Sequence, residues 1–138
     1  MASNLKYSTA AKNAQQDAIA TLIGNGGKAR LYDGTQPASP DVAVTTQNML
    51  VECVGASPFA PASANGVLTA GTIASGTGTA AAGTGKTPTW YRIFKADGTT
   101  AVVDGTVGQT GCDLNLDNPS IAQNQAVKIN SYTLANQN

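Results

Sequence analysis

The chain has 138 residues, with eight Lys+Arg against eight Asp+Glu, no histidine, and 12% charged residues, about half the share usual in a soluble domain. That length fits one domain with a modest core. The zero net charge speaks against a nucleic-acid binder, which carries a basic excess or patch, and against a polybasic membrane anchor.

A surface left to Ala, Thr, Ser, Asn, Gln and Gly gains little charge repulsion against its neighbours. It suits a subunit packed among many copies, although some secreted proteins share it. Met1 to Lys6 contains no apolar signal-peptide core. No run approaches the ~20 apolar residues of a membrane helix. The expectation is a chain made and held in a cytoplasm until it is assembled or released. There, Cys53 and Cys112 read as two buried thiols acting as small apolar residues, with a disulfide between them left open.

Ser8 to Ile23 is the only helix candidate, with Ser8 or Thr9 as cap and Gly24 to Gly27 as stop. Ala11, Ala14, Ala18 and Leu22 recur near the helical period with Ile19 and Ile23 alongside, and Lys12, Gln15 and Gln16 fall elsewhere on the wheel. That pattern predicts a closely packed alanine face covering the core, or else an interface with a neighbouring subunit.

Lys28 to Tyr32 reads as a short strand stopped by Asp33-Gly34. Pro37 and Pro40 force Thr35 to Asp41 onto an extended surface path, and Val42 to Gln47 is a polar connection. Met49 to Val54 is the next strand, with Met49, Val51 and Cys53 facing one side and Glu52 the other. Gly55 to Asn65 is a loop pinned by Phe59, and Val67 to Ile73 is a further short strand. Ala74 to Thr87 contains only Ser, Gly, Thr and Ala until Lys86. Such a run is expected to bury too little to order itself, which makes it a mobile loop or an arm ordered by a neighbour.

Trp90 to Ala96 and Thr99 to Val107 flank Asp97-Gly98, a strong hairpin signal in which Gly98 supplies the positive φ of a primed turn. The first arm holds most of the aromatic mass of a chain that is 5% aromatic, so the hairpin is expected to centre the sheet. Gly108 to Gly111 is a turn. Cys112 to Leu116 reads as a half-exposed strand, and Asn118-Pro119-Ser120 as a turn. Val127 to Leu134 is the last strand, its apolar phase shifting near Ser131 as at a bulge, before a polar tail from Ala135 to Asn138. Six or seven short strands without a βαβ rhythm indicate a mainly β, single-domain chain: an antiparallel β-sandwich or jelly-roll-like domain with one N-terminal α-helix.

Functional motifs are imitated and then fail. Gly83-Thr84-Gly85-Lys86-Thr87 resembles the end of a phosphate-binding loop, but Ala80 stands where the first glycine belongs, and Pro88 opens a β run. Asp113 to Asn118 imitates the start of a calcium loop, but Asn118 replaces its glycine and Asn124 its bidentate glutamate. With no histidine and Glu52 as the one glutamate, an acid–base pair would have to come from aspartates such as Asp97 and Asp104, better read as turn and strand-edge residues. Two distant cysteines make neither a metal site nor a thiol triad. Trp90 and Tyr91 suit core packing better than stacking on a ligand, and Arg92 between aromatics reads as an ion-pair or stacking residue.

The order of segments carries a resemblance. It runs from the alanine-rich helix through Ala29-Arg30-Leu31-Tyr32-Asp33-Gly34-Thr35, Pro37-Ala38-Ser39-Pro40-Asp41, Met49-Leu50-Val51-Glu52-Cys53 and Gly66-Val67-Leu68-Thr69-Ala70. It continues with Trp90-Tyr91-Arg92-Ile93-Phe94, Asp97-Gly98-Thr99, Asp104 to Gly108, Asp113 to Leu116 and Ile129 to Leu134. Over nearly its whole length the chain resembles small virion structural proteins of tailed bacteriophages and prophages. Within that group it is most similar to capsid cement, or decoration, proteins, which are small β-sandwich or jelly-roll subunits on the outside of the head.

The resemblance implies a virion location on the capsid surface and the major capsid protein and further copies of itself as partners. It implies no nucleic-acid or membrane partner, and no enzyme activity, cofactor, metal or catalytic residue. Composition singles out Ser75, Gly76, Thr77, Gly78, Thr79, Gly83, Thr84, Gly85 and Lys86, with the residues before Ser8, as arms that order on capsid contact. Deleting Ser75 to Gly85 is then expected to weaken attachment and leave the domain folded. The alternative is a tail- or fibre-associated module that binds a host glycan through Trp90, Tyr91 or Tyr132.

Overall fold

A computed structural model describes residues 4–135. Helix α1 (Thr9–Ile23) opens where expected: Ser8 Oγ accepts the Ala11 N–H at 3.1 Å, and Gly24 closes it at φ 75°. Nine strands follow among the described residues: β1 (Lys28–Tyr32), β2 (Met49–Val54), β3 (Val67–Thr69), β4 (Gly76–Thr77), β5 (Trp90–Phe94), β6 (Ala101–Gly108), β7 (Leu114–Leu116), β8 (Ala126–Val127) and β9 (Ile129–Ala135). Seven form one curled sheet in the order β2-β1-β5-β6-β7-β9-β3, and β4 pairs with β8 in a small second sheet. The fold is mainly β with one N-terminal helix.

The hairpin is central in the sheet, as expected, but its turn is wider than two residues. Lys95 N–H donates to Thr100 O, Gly98 N–H donates to Lys95 O, and Gly98 takes φ 71°. Asp97 shapes this loop by accepting from the Thr99 and Thr100 N–H groups and the Thr100 hydroxyl. The sheet is mixed, not wholly antiparallel: β6 and β7 run parallel over two register pairs, with Cys112 close under Gly108. The expected bulge falls at Asn130, since β9 pairs Ser131 with Asn115 and then Ile129 with Leu116. Strand β3 stops at Thr69, short of Ile73, although Ile73 is buried. Strand β7 begins at Leu114, not Cys112.

One face of the sheet carries the core. Ala29, Leu31, Val51, Cys53, Tyr91 and Ile93 meet Leu68, Val107, Leu114, Leu116, Ile129 and Tyr132. Phe59, Ala82, Ile121 and Val127 close it from the loops and the second sheet. Cys53 is buried, Cys112 is half-buried, and both are free thiols. Burial raises the Cys53 thiol from 9.0 to about 11.

The helix is rotated from its expected face. Ile23 is buried, but so is Gln16, 4% exposed, while Ala14 and Ala18 face out and Leu22 is 52% exposed. The reason is hydrogen bonding. Gln16 Nε2 donates to Gly66 O and Leu134 O, Asn13 Oδ1 accepts the Gly66 N–H, and Asp17 Oδ1 accepts the Ser63 N–H. These amides and the carboxylate fasten the loop that leads into β3 and the end of β9, and four satisfied backbone groups outweigh the small area an alanine stripe would bury.

The β2 end of the curled sheet is covered along its edge by the chain itself. Along β2, Ala74 N–H donates to Val54 O and Thr79 N–H to Leu50 O, each at 2.8 Å, and Thr79 Oγ1 donates to Met49 O at 2.6 Å. Beside β3, Ala64 and Val67 bridge each other. A covered edge opposes strand-to-strand addition of further copies.

Candidate interaction surface

The outer face of the sheet carries an ordered row of charge. Glu52, Arg30, Arg92 and Asp104 stand opposite one another across β2, β1, β5 and β6. The acids lie at the two ends and the arginines meet in the middle. Arg30 donates from Nε to Glu52 Oε2 at 2.6 Å, and Lys28 Nζ reaches Glu52 Oε1 at 3.8 Å. Arg92 makes the bidentate contact, Nε to Asp104 Oδ1 at 2.7 Å and Nη2 to Oδ2 at 2.8 Å, with both side chains 3% exposed. Asp104 is therefore a mid-strand residue holding a buried ion pair and not a strand-edge residue.

Aromatic rings flank the row. Tyr32 and Trp90 stack at 4.5 Å between centroids. The Arg30 guanidinium lies 4.5 Å over the Phe94 ring, and that of Arg92 5.4 Å from Trp90. Burial pushes the Tyr32 phenol up, against the pull of the Arg30 guanidinium beside it.

A loop, residues 33–48, folds over this face. Its ends are tied together: Asn48 N–H and Nδ2 donate to the two Asp33 carboxylate oxygens, and Asp33 N–H donates to Asn48 O. The Asn48 backbone bond is the first cause holding the Asp33 carboxyl below its ordinary value. Trp90 Nε1 donates to Asp33 O, and Gln47 Nε2 donates to Thr35 O. The middle is held from below, where Arg92 donates from Nη1 to Val42 O at 2.8 Å and from Nη2 to Ser39 O at 3.1 Å. Four guanidinium hydrogen bonds thus hold one carboxylate and two loop carbonyls. The loop has closed ends and its own internal bonds, as in an Ω-loop.

Between this loop and the 95–100 turn runs an open cleft of about 590 Å³. Arg30, Tyr32, Arg92 and Phe94 floor it, Pro40, Asp41, Ala43 and Val44 form one wall, and Gly98 to Ala101 form the other.

The composition-selected segment takes a different place. It is not a free loop or arm: β4 pairs with β8, Ala80–Ala82 forms a 3-10 turn, Ala82 is fully buried, and Lys86 and Ile121 exchange backbone bonds at 2.8 Å. Smallness is what allows this order. A Cβ on Gly76 would collide with Glu52 O, and one on Gly78 with Ala122 O. Gly76, Gly78 and Thr79 are packed in, whereas Ser75, Thr77, Gly83, Thr84, Gly85 and Lys86 remain exposed on a fixed surface. Lys86 Nζ also reaches Asp33 Oδ2 at 3.8 Å. Of the other proposed arm, Met1 to Ser3 lie outside the described residues.

The glycan platform is overturned. Trp90 is 1% exposed, and Tyr91 and Tyr132 are buried with their hydroxyls joined at 3.0 Å, so none of the three offers a ring face to a sugar. Leu114 and Leu116 are fully buried strand residues, in keeping with a strand and not a calcium loop at 113–118. Among the described residues, no three His, Cys, Asp or Glu side chains come together as metal ligands, and no helix is long and apolar enough to cross a membrane.

The Arg92 latch escaped the sequence reading. Counted outward from Gly98, Arg92 and Asp104 lie equally far on either side, and that pairing would have signalled the bond. Comparison with protein-family models, curated proteins and solved structures returned no match.

Proposed function

We propose that this protein is a non-enzymatic structural subunit of a virion, of the capsid cement or decoration class, seated on the outside of a major capsid protein shell that it stabilises. The observation that carries the reading is the surface: only 12% of residues are charged, they sum to zero, and Leu5, Leu22, Val42 and Val54 stand exposed on it. Such a surface resists close packing with neighbours very little. The covered β2 edge and the short β3 edge favour the faces and loops, not strand addition, as the means of contact. The order of segments, which resembles that of cement proteins, is what supports the location. Many weak contacts on one shell would add up through multivalency.

The test is quantitative mass spectrometry of purified virions with imaging of the particle. A copy number scaling with the head lattice, and density on its outer surface, is the expected result. A handful of copies confined to the tail would overturn the head assignment, and absence from the virion would overturn the reading altogether.

A further inference from the structure

We propose that the cleft between loop 33–48 and the 95–100 turn is the docking face for the shell, and that Arg30 there receives a carboxylate side chain of the major capsid protein. This rests on the cement reading above. Three observations point to it.

The first is charge. Glu52 is shared by Lys28 and Arg30, which leaves that group one positive charge in excess, whereas Arg92 is fully matched by Asp104. The Asp41 carboxylate on the loop wall is exposed to water, where it is screened.

The second is geometry. Arg30 meets Glu52 through Nε, and its Nη2 reaches the turn wall, 2.8 Å from where a Cβ on Gly98 would stand. Its guanidinium carbon lies 4.5 Å over the Phe94 ring with the Tyr32 hydroxyl as a further partner, so the group is held in the floor of the cleft. A planar, positioned guanidinium matches a carboxylate through two parallel N–H···O bonds.

The third is preorganisation. The buried Arg92–Asp104 pair fixes the carbonyls of Ser39 and Val42, and the loop so held sets Ala43 and Val44 in the wall of the cleft. Holding a recognition loop in one shape before contact removes an ordering cost from binding.

The experiment is co-sedimentation of the purified full chain with shells assembled from the major capsid protein of the same particle, followed as a function of salt. Thr99 and Ala43 are exposed cleft residues whose replacement leaves the core intact. Thr99→Glu and Ala43→Asp are expected to weaken binding about tenfold or more, Thr99→Lys to keep or tighten it, and Ala18→Asp on the outward face of α1 to leave it unchanged. Wild-type binding is expected to fall as salt rises. Unchanged binding of Thr99→Glu and Ala43→Asp, above all with loss in Ala18→Asp, overturns the cleft while the cement reading stands. Equal weakening by Thr99→Glu and Thr99→Lys overturns the carboxylate partner. Shells that fail to bind the wild-type chain overturn both.

Discussion

The Tyr91 hydroxyl donates to the Tyr132 hydroxyl across 3.0 Å inside the core, and the two rings meet edge-on with centroids 5.0 Å apart. Tyr91 comes from the central hairpin and Tyr132 from the last strand, so this one bond joins β5 to β9 across the curl of the sheet. Gly105 makes it feasible. Tyr91 Oη lies 2.5 Å from where a Cβ there would sit, so the ring crosses β6 over a residue without a side chain. Removing one hydroxyl leaves the other without its partner in an apolar site. Tyr91→Phe and Tyr132→Phe should each cost about 1–3 kcal/mol, and the double variant less than their sum. Urea unfolding of the four chains closes the cycle; strict additivity would show that the bond contributes nothing.

The same burial sets the alkaline limit. Desolvation first of all raises the Cys53 thiol to about 11 and the Tyr91 and Tyr132 phenols well above their ordinary 10.0. A group with a raised folded value contributes stability fully below its unfolded value and loses it as pH climbs through the folded one. Stability should therefore hold up to about pH 9, decline as unfolded thiols and then phenols release protons, and keep falling above pH 10. Denaturant midpoints from pH 7 to 11 check this. In Cys53→Val the decline should begin later, near pH 10, and an unchanged onset would remove Cys53 as its first cause.

Strands β1 and β2 were legible to the residue, because a period of two with turn residues at the ends is a local signal. The helix span was equally legible, but not its buried face. Gln16 counts as polar on a wheel, and only the distant carbonyls of Gly66 and Leu134 make it an inward residue. The loop 33–48 was readable as a surface path from Pro37 and Pro40. Its latch was not, since nothing in Ser39 or Val42 announces a guanidinium from β5. Segment 74–87 was misread for a related reason. Low complexity measures what side chains can bury, and this segment is held through its backbone, against β2, β8 and Ile121.

That last point gives a prediction opposite to the arm expectation. Removing Ser75 to Gly85 would strip β2 of its cover and β8 of its partner, so the shortened chain should fail to fold cooperatively. Point changes separate the causes. Gly76→Ala and Gly78→Ala each force a methyl into backbone and should cost about 1–3 kcal/mol or more, while exposed Thr77→Ala should stay within about 0.5 kcal/mol. Thermal unfolding by circular dichroism is sufficient. A folded deletion chain would restore the segment to a dispensable arm.

Arg92 joins the fold to the surface, and its replacement should divide the two. In Arg92→Met, Asp104 is left as an uncompensated buried charge, a loss of about 3–5 kcal/mol. Pairing that change with Asp104→Leu removes the stranded charge and should recover much of the stability. Both variants lose the guanidinium bonds to Ser39 O and Val42 O, leaving Ser39 O only the Val42 N–H within the loop itself. The double variant should thus be folded yet cleaved faster by a non-specific protease within residues 37–46 than the wild-type chain. Arg92→Lys should fall between, since an ammonium keeps the charge but loses the planar fork that reaches carboxylate and loop together. Stability and loop cleavage that moved in step across all three variants would mean that the loop is held by the fold at large, and not by Arg92.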